Sequence, residues 1–145
     1  MHESEMRTPA VILSTILSLL CFWGCTSRHP EAERAAVESA QSWLSVVDRE
    51  EYGSSWDEAA SYFKGAVSRE QWQQTMEAVR KPLGQTVSRV LKSKRYHTSL
   101  PGAPDGEYVV IQFNTSFDNK KSAIETVTPM KDGDGKWRVS GYYIK

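Results

Sequence analysis

Residues 106–145, GEYVVIQFNTSFDNKKSAIETVTPMKDGDGKWRVSGYYIK, alternate apolar and polar side chains in three runs separated by two clusters of turn formers. Alternation with a period of two puts successive side chains on opposite faces of a strand, and one apolar face beside one polar face describes an antiparallel sheet covered on a single side. Turns centred on residues 118–121 and 132–135 set the expected register, because loop length decides which residues pair across a hairpin. In that register Phe113 faces Thr126, which faces Gly141, and Ile111 faces Thr128, which faces Val139. The expected apolar face holds Val109, Ile111, Phe113, Phe117, Ile124, Met130, Trp137, Val139 and Tyr143, and the opposite face Gln112, Asn114, Glu125, Arg138, Ser140 and Tyr142. Pro129 and Gly141 interrupt the pattern and mark a bulge or a bend.

Ahead of the sheet the period changes to that of helices. Ala36, Ala40, Trp43, Leu44 and Val47 share one side of a helix that Pro30 opens and Gly53 follows. A second, shorter helix is expected from Ser54 or Ser55, burying Trp56, Ala60 and Phe63. A third opens at Ser68, where Gln71 three residues on completes a capping-box pattern, and it carries the stripe Trp72, Met76, Val79 until Pro82 and Gly84 end it. Trp and Phe at helical spacing read as core and not as a ligand box. Residues 86–100 supply a first strand of ambiguous phase, since Val90 and Tyr96 favour one face and Val87 and Leu91 the other. Arg89, Lys92, Lys94 and Arg95 suit an edge position, where charge discourages pairing with other chains. The fold class is therefore α+β, with N-terminal helices packed on one face of a curved antiparallel sheet of about four strands. Its fold-level analogues are the cystatin-like and nuclear-transport-factor-like folds, which host both enzymes and binding modules.

With 39% hydrophobic and 25% charged residues the chain has the content for one core. Its charge is uneven: residues 30–79 hold 4 Lys/Arg and 10 Asp/Glu, and residues 80–145 hold 12 and 6. Two readings follow, an acidic helical layer attracting a basic sheet layer or solvated faces of opposite sign, and a basic surface for an anionic partner. No nucleic-acid module is recognisable, so no nucleic-acid partner is expected.

Residues 1–25 read as an export signal. Arg7 precedes an apolar run from Ala10 to Trp23 that is short for a membrane span of about 20 residues. Cys21 and Cys25 close the run, and FWGCTS resembles a bacterial lipoprotein processing site, with a small Gly24 ahead of a lipidated Cys25. Plain secretion and an uncleaved anchor are the alternatives, since Phe22 and Trp23 are bulky for such a site. Residues 26–33 would be a tether and 34–145 a single domain. A membrane attachment through Cys25 is thus expected, and Thr26 after the cysteine implies the outer membrane, facing the periplasm, by resemblance to lipoprotein sorting signals.

Catalytic patterns are scarce. After Cys25 there is no further cysteine, no Gly-rich phosphate loop and no metal-ligand spacing, because His29 and His97 lie far apart. No metal or cofactor is expected. The adjacent carboxylates Glu50-Glu51 and Asp57-Glu58 are read as helix-start charges favoured by the dipole. The expected register does place Asn114, Glu125 and Tyr142 in one cross-strand row on the face away from the core, with Gln112 and Arg138 nearby. Amide, carboxylate and phenol side by side could orient a polar ligand, or could simply bond one another on a solvated sheet face.

The blocks YGSSWDEAASYFKGAVSREQW, VRKPLG, SLPGAPDGEYVVIQF, AIETVTPM and GKWRVSGYYI resemble the bacterial domain of unknown function 4019 family. The resemblance spans nearly all of the domain and implies an exported or lipoprotein-type protein of Gram-negative bacteria, with no activity to transfer. The expectation is a lipid-anchored cell-envelope module that binds an envelope protein or a small molecule without catalysis. The alternative is a small nuclear-transport-factor-like enzyme with a polar group in an apolar pocket.

Overall fold

A computed structural model describes residues 28–145, so the expected export segment, Cys25 and the first residues of the expected tether lie outside the described residues. Four helices precede four strands: α1 Pro30–Asp48, α2 Tyr52–Asp57, α3 Ser61–Ala66 and α4 Arg69–Val79, then β1 Thr86–His97, β2 Tyr108–Phe117, β3 Lys120–Lys131 and β4 Trp137–Ile144. The strands form one antiparallel sheet in the order β1-β2-β3-β4, leaving β1 and β4 as edges. The α+β architecture, with helices on one face of a curved sheet, is the expected one.

Helix α1 starts at Pro30 as the sequence places it, so residues 30–33 of the stretch read as a tether form its first turn, and Glu33 is buried. Its apolar stripe is buried as expected: Ala36, Ala40, Trp43, Leu44 and Val47 join Val109, Ile111, Phe113, Val127 and Val139 in one core. The expected second helix is two short ones, α2 and α3, separated at Ala60, whose N–H donates to the Val139 carbonyl at 2.8 Å. Ser68 opens α4 with the capping box present in both directions. Trp72 and Met76 are buried, but Val79 is 53% exposed, because the helix ends there and turns away from the core. Asp57 closes α2 instead of opening a helix, and pairs with Arg69 at 3.1 Å.

The register differs from the expected one by one residue, because a two-residue turn in place of four shifts the pairing by two and an irregularity in the β2–β3 pairing takes one back. Only Asp118 and Asn119 separate β2 from β3, so Phe117 pairs with Lys120; an irregularity between Thr115 and Phe117 then sets Phe113 opposite Glu125 and Ile111 opposite Val127. The turn is pinned from outside. Asp118 accepts from the Gln85 N–H at 2.9 Å, and Asn119 donates its side-chain amide to the Pro82 carbonyl at 2.9 Å. Gly84 makes this approach possible: it lies at φ +77, and a Cβ there would sit 2.8 Å from Asp118 Cβ.

A one-residue slip exchanges the faces of a strand. Glu125 and Val127 point into the core, and Ile124 and Met130, expected there, are half-buried on the other side. At β4 the register shifts again between Thr128 and Pro129, the bulge that Pro129 and Gly141 signalled. This extra residue lets Val139 and Tyr142 both face the helices, while Tyr143, expected in the core, is 50% exposed. Two irregularities in β1, at residues 86–88 and 91–93, account for its mixed phase.

Candidate functional site

The slip in β3 has a chemical result: it carries a carboxylate into the space between sheet and helices. Glu125 is 0% exposed. Its Oε1 accepts from Arg89 Nε at 2.7 Å and from the Thr115 hydroxyl at 2.6 Å, and its Oε2 accepts from the Tyr142 hydroxyl at 2.6 Å and from Arg89 Nη2 at 3.3 Å. One residue from each strand therefore meets at this point.

Arg89 extends the cluster to the helices. Its Nη1 and Nη2 donate to the two oxygens of Asp48, the last residue of α1, at 2.7 and 2.9 Å. Such a fork bridging two carboxylates uses the planar guanidinium in a way lysine could not. Asp48 also accepts from the Thr86 hydroxyl at 2.9 Å and from Arg80 Nη2 at 3.1 Å. Arg80, buried where α4 ends, donates its Nη1 to the Gly84 carbonyl at 2.7 Å and lies 4.5 Å from the centre of the Phe117 ring. Two cations and two anions thus alternate through the interior in the order Arg80, Asp48, Arg89, Glu125.

The environment fixes the protonation states. Burial opposes ionisation of Asp48, but the Arg89 bonds and charge, aided by Thr86 and Arg80, outweigh it and hold its pKa below the ordinary carboxylate value. Burial also works against the Arg89 charge, and the bonds to Asp48 and Glu125 more than compensate, so its pKa is raised. Burial pushes the Tyr142 phenol well above its usual range, and the negative charge of Glu125 and the bond to it act in the same direction. Tyr142 is therefore a fixed neutral donor.

The expected row of Asn114, Glu125 and Tyr142 is divided by the observed register. Glu125 and Tyr142 do meet, but inside, against the helices, and not on the outer sheet face. Asn114 is exposed on that outer face, between Val90 and Ile124. Gln112 is there too, accepting from the Ser93 hydroxyl at 3.4 Å. Arg138 lies at the β3–β4 turn, paired with Asp132 at 3.2 Å and Asp134 at 2.8 Å. Asp48, Arg80, Thr86, Arg89 and Thr115 were not foreseen as partners. Arg89 read as an edge charge, and only its irregular strand turns it inward.

Among the described residues no group of three potential metal ligands is present, and no helix is long and apolar enough to cross a membrane.

Fold and site together define a small α+β domain whose helical layer is fastened to an open antiparallel sheet by a buried, charge-balanced network. The family described as "Protein of unknown function (DUF4019)" matches residues 39–142, and the chain belongs to it. The matched span contains every member of the network from Asp48 to Tyr142. No curated protein matches the chain.

Proposed function

We propose that this is a lipid-anchored cell-envelope protein, attached through Cys25 and facing the periplasm, whose domain works by binding an envelope component and not by catalysis. The observation that carries the second part is the state of Glu125. The carboxylate best placed for acid-base work is 0% exposed, and Arg89, Thr115 and Tyr142 occupy both of its oxygens. A general acid or base must reach its substrate within hydrogen-bond distance, directly or through one water. Glu125 offers no such access, and Asp48 is committed to two arginines. The network is better suited to holding the α1 and α4 ends on the sheet, which leaves the outer surfaces for recognition. The first part rests on the charged-then-apolar segment up to Trp23 and on Gly24-Cys25-Thr26 after it.

Intact-mass analysis of the membrane-extracted protein tests the anchor: a chain beginning at Cys25 with diacylglyceryl modification is expected. A soluble periplasmic protein whose N-terminus is Thr26 or later would overturn it.

A further inference from the structure

Strand β1 carries four cations that behave differently. Arg89 is turned inward and paired twice. Lys92, Lys94 and Arg95 are exposed, and none of them is ion-paired among the described residues. Edge protection explains why an edge strand is charged, but not why this half of it lies where it does. The start of the described chain is fixed beside it. His29 stacks on Tyr96 with ring centres 3.9 Å apart, and Arg28, Lys94 and Arg95 line one groove. Of the acidic groups at this end, Glu33 lines the groove but is buried, Glu107 pairs with Lys131 at 3.2 Å and accepts from the Tyr96 hydroxyl, and Glu31 on the first turn of α1 is exposed beside Arg28 and Arg34.

Cys25 precedes Arg28 by three residues, a span of at most about 10 Å even when fully extended. That distance is similar to a Debye length of about 8 to 10 Å at physiological ionic strength. A lipid on Cys25 would therefore hold this end of the domain, where α1 begins and β1 ends, and not the β2–β3 turn, within electrostatic reach of the bilayer. We infer that the end of β1 bearing Lys92, Lys94 and Arg95, together with Arg28, is a membrane-facing surface that binds anionic lipid headgroups. The inference rests on the proposed anchor for its geometry, while the headgroup contact is a property of the cations themselves. Each cation near such a surface strengthens attachment about fivefold.

The test uses the full-length protein as extracted from membranes, its anchor read by intact mass, mixed into phosphatidylcholine vesicles with or without phosphatidylglycerol. Lysines are acetylated briefly, and the labelling of Lys92 and Lys94 is compared with that of exposed Lys81 and Lys121, which lie toward the opposite end of the sheet. The expected result is labelling of Lys92 and Lys94 about fivefold slower on the anionic vesicles, reversed by high salt, with Lys81 and Lys121 unchanged. Equal rates at all four lysines on both vesicles overturn the inference, as does protection by soluble heparin with none by the anionic vesicles. If the mass shows no lipid, the same protein is floated with the same vesicles. Salt-sensitive flotation on phosphatidylglycerol then supports the headgroup surface while the anchor fails, and absence of flotation refutes the surface.

Discussion

Replacing Glu125 by Gln changes one atom of the interior and removes one buried negative charge. The amide oxygen can take the place of Oε1 and keep the bonds from Arg89 Nε and Thr115. The amide nitrogen then stands where Oε2 accepts from Tyr142 and from Arg89 Nη2. A phenol hydroxyl can rotate and accept instead, but a guanidinium has donors only, so one donor faces another. Breaking a buried pair by neutralising one partner costs about 3 to 5 kcal/mol. Asp48 still holds Arg89 through two bonds, which places Glu125→Gln near the lower end, about 3 kcal/mol. For a domain of this size the melting temperature should fall by roughly 10 °C. Tyr142→Phe removes one hydrogen bond and leaves the ion pairs intact, so it should cost only about 1 to 2 kcal/mol. Urea unfolding followed by circular dichroism measures both. A Glu125→Gln loss under about 1 kcal/mol would refute the reasoning, since a group tolerating neutralisation so cheaply is solvated.

Two further outcomes follow from other parts of the molecule. Trp72 is 6% exposed, donates its indole N–H to Ser55 Oγ at 2.9 Å and meets the Phe63 ring edge-on at 5.0 Å, so Trp72→Ala should cost about 3 to 5 kcal/mol in the same unfolding experiment. The folded-state pKa of Asp48 lies below its ordinary 3.8, so the unfolded chain binds its proton first as pH falls. Its contribution is full above the ordinary value and is lost as pH drops through the lower folded value. Urea midpoints measured from neutral pH down to about 2 should therefore fall less steeply below pH 4 for Asp48→Asn than for the wild type, from a lower neutral plateau.

The α1 stripe, the capping box of α4 and the three C-terminal strands could be read from sequence because each is a local pattern: a 3.6-residue period, a Ser-x-x-Gln spacing, an alternation. Register could not be read in the same way. It turns on the loop after Phe117, two residues and not the expected four, and on the irregularity between Thr115 and Phe117 that makes the net slip odd; the loop is held by Asp118 and Asn119 bonding to residues 82–85, over thirty positions earlier. The alternation itself tolerated both answers, since Ile124 and Met130 on one side balanced Ala123 and Val127 on the other. A buried Glu in that choice is costly until Arg89 is present to meet it, and Arg89 looks inward only because β1 is irregular on both sides of it. The Glu125–Tyr142 pair was nevertheless foreseen. Each residue was displaced to the other face, so their adjacency survived two errors of the same sense, while Asn114 on β2 stayed outside.

Glu125 is closed off within an ion network, with both of its oxygens taken by protein donors. Carbodiimide coupling of an amine to carboxyl groups, read residue by residue by peptide mass spectrometry, tests it most directly. In the folded protein exposed Glu38 and Asp105 should react while Glu125 stays unmodified, and in urea all of them should react. Labelling of Glu125 in the folded protein at the rate of Glu38 would contradict the claim, because it would mean that the carboxylate is open to solvent and available for chemistry.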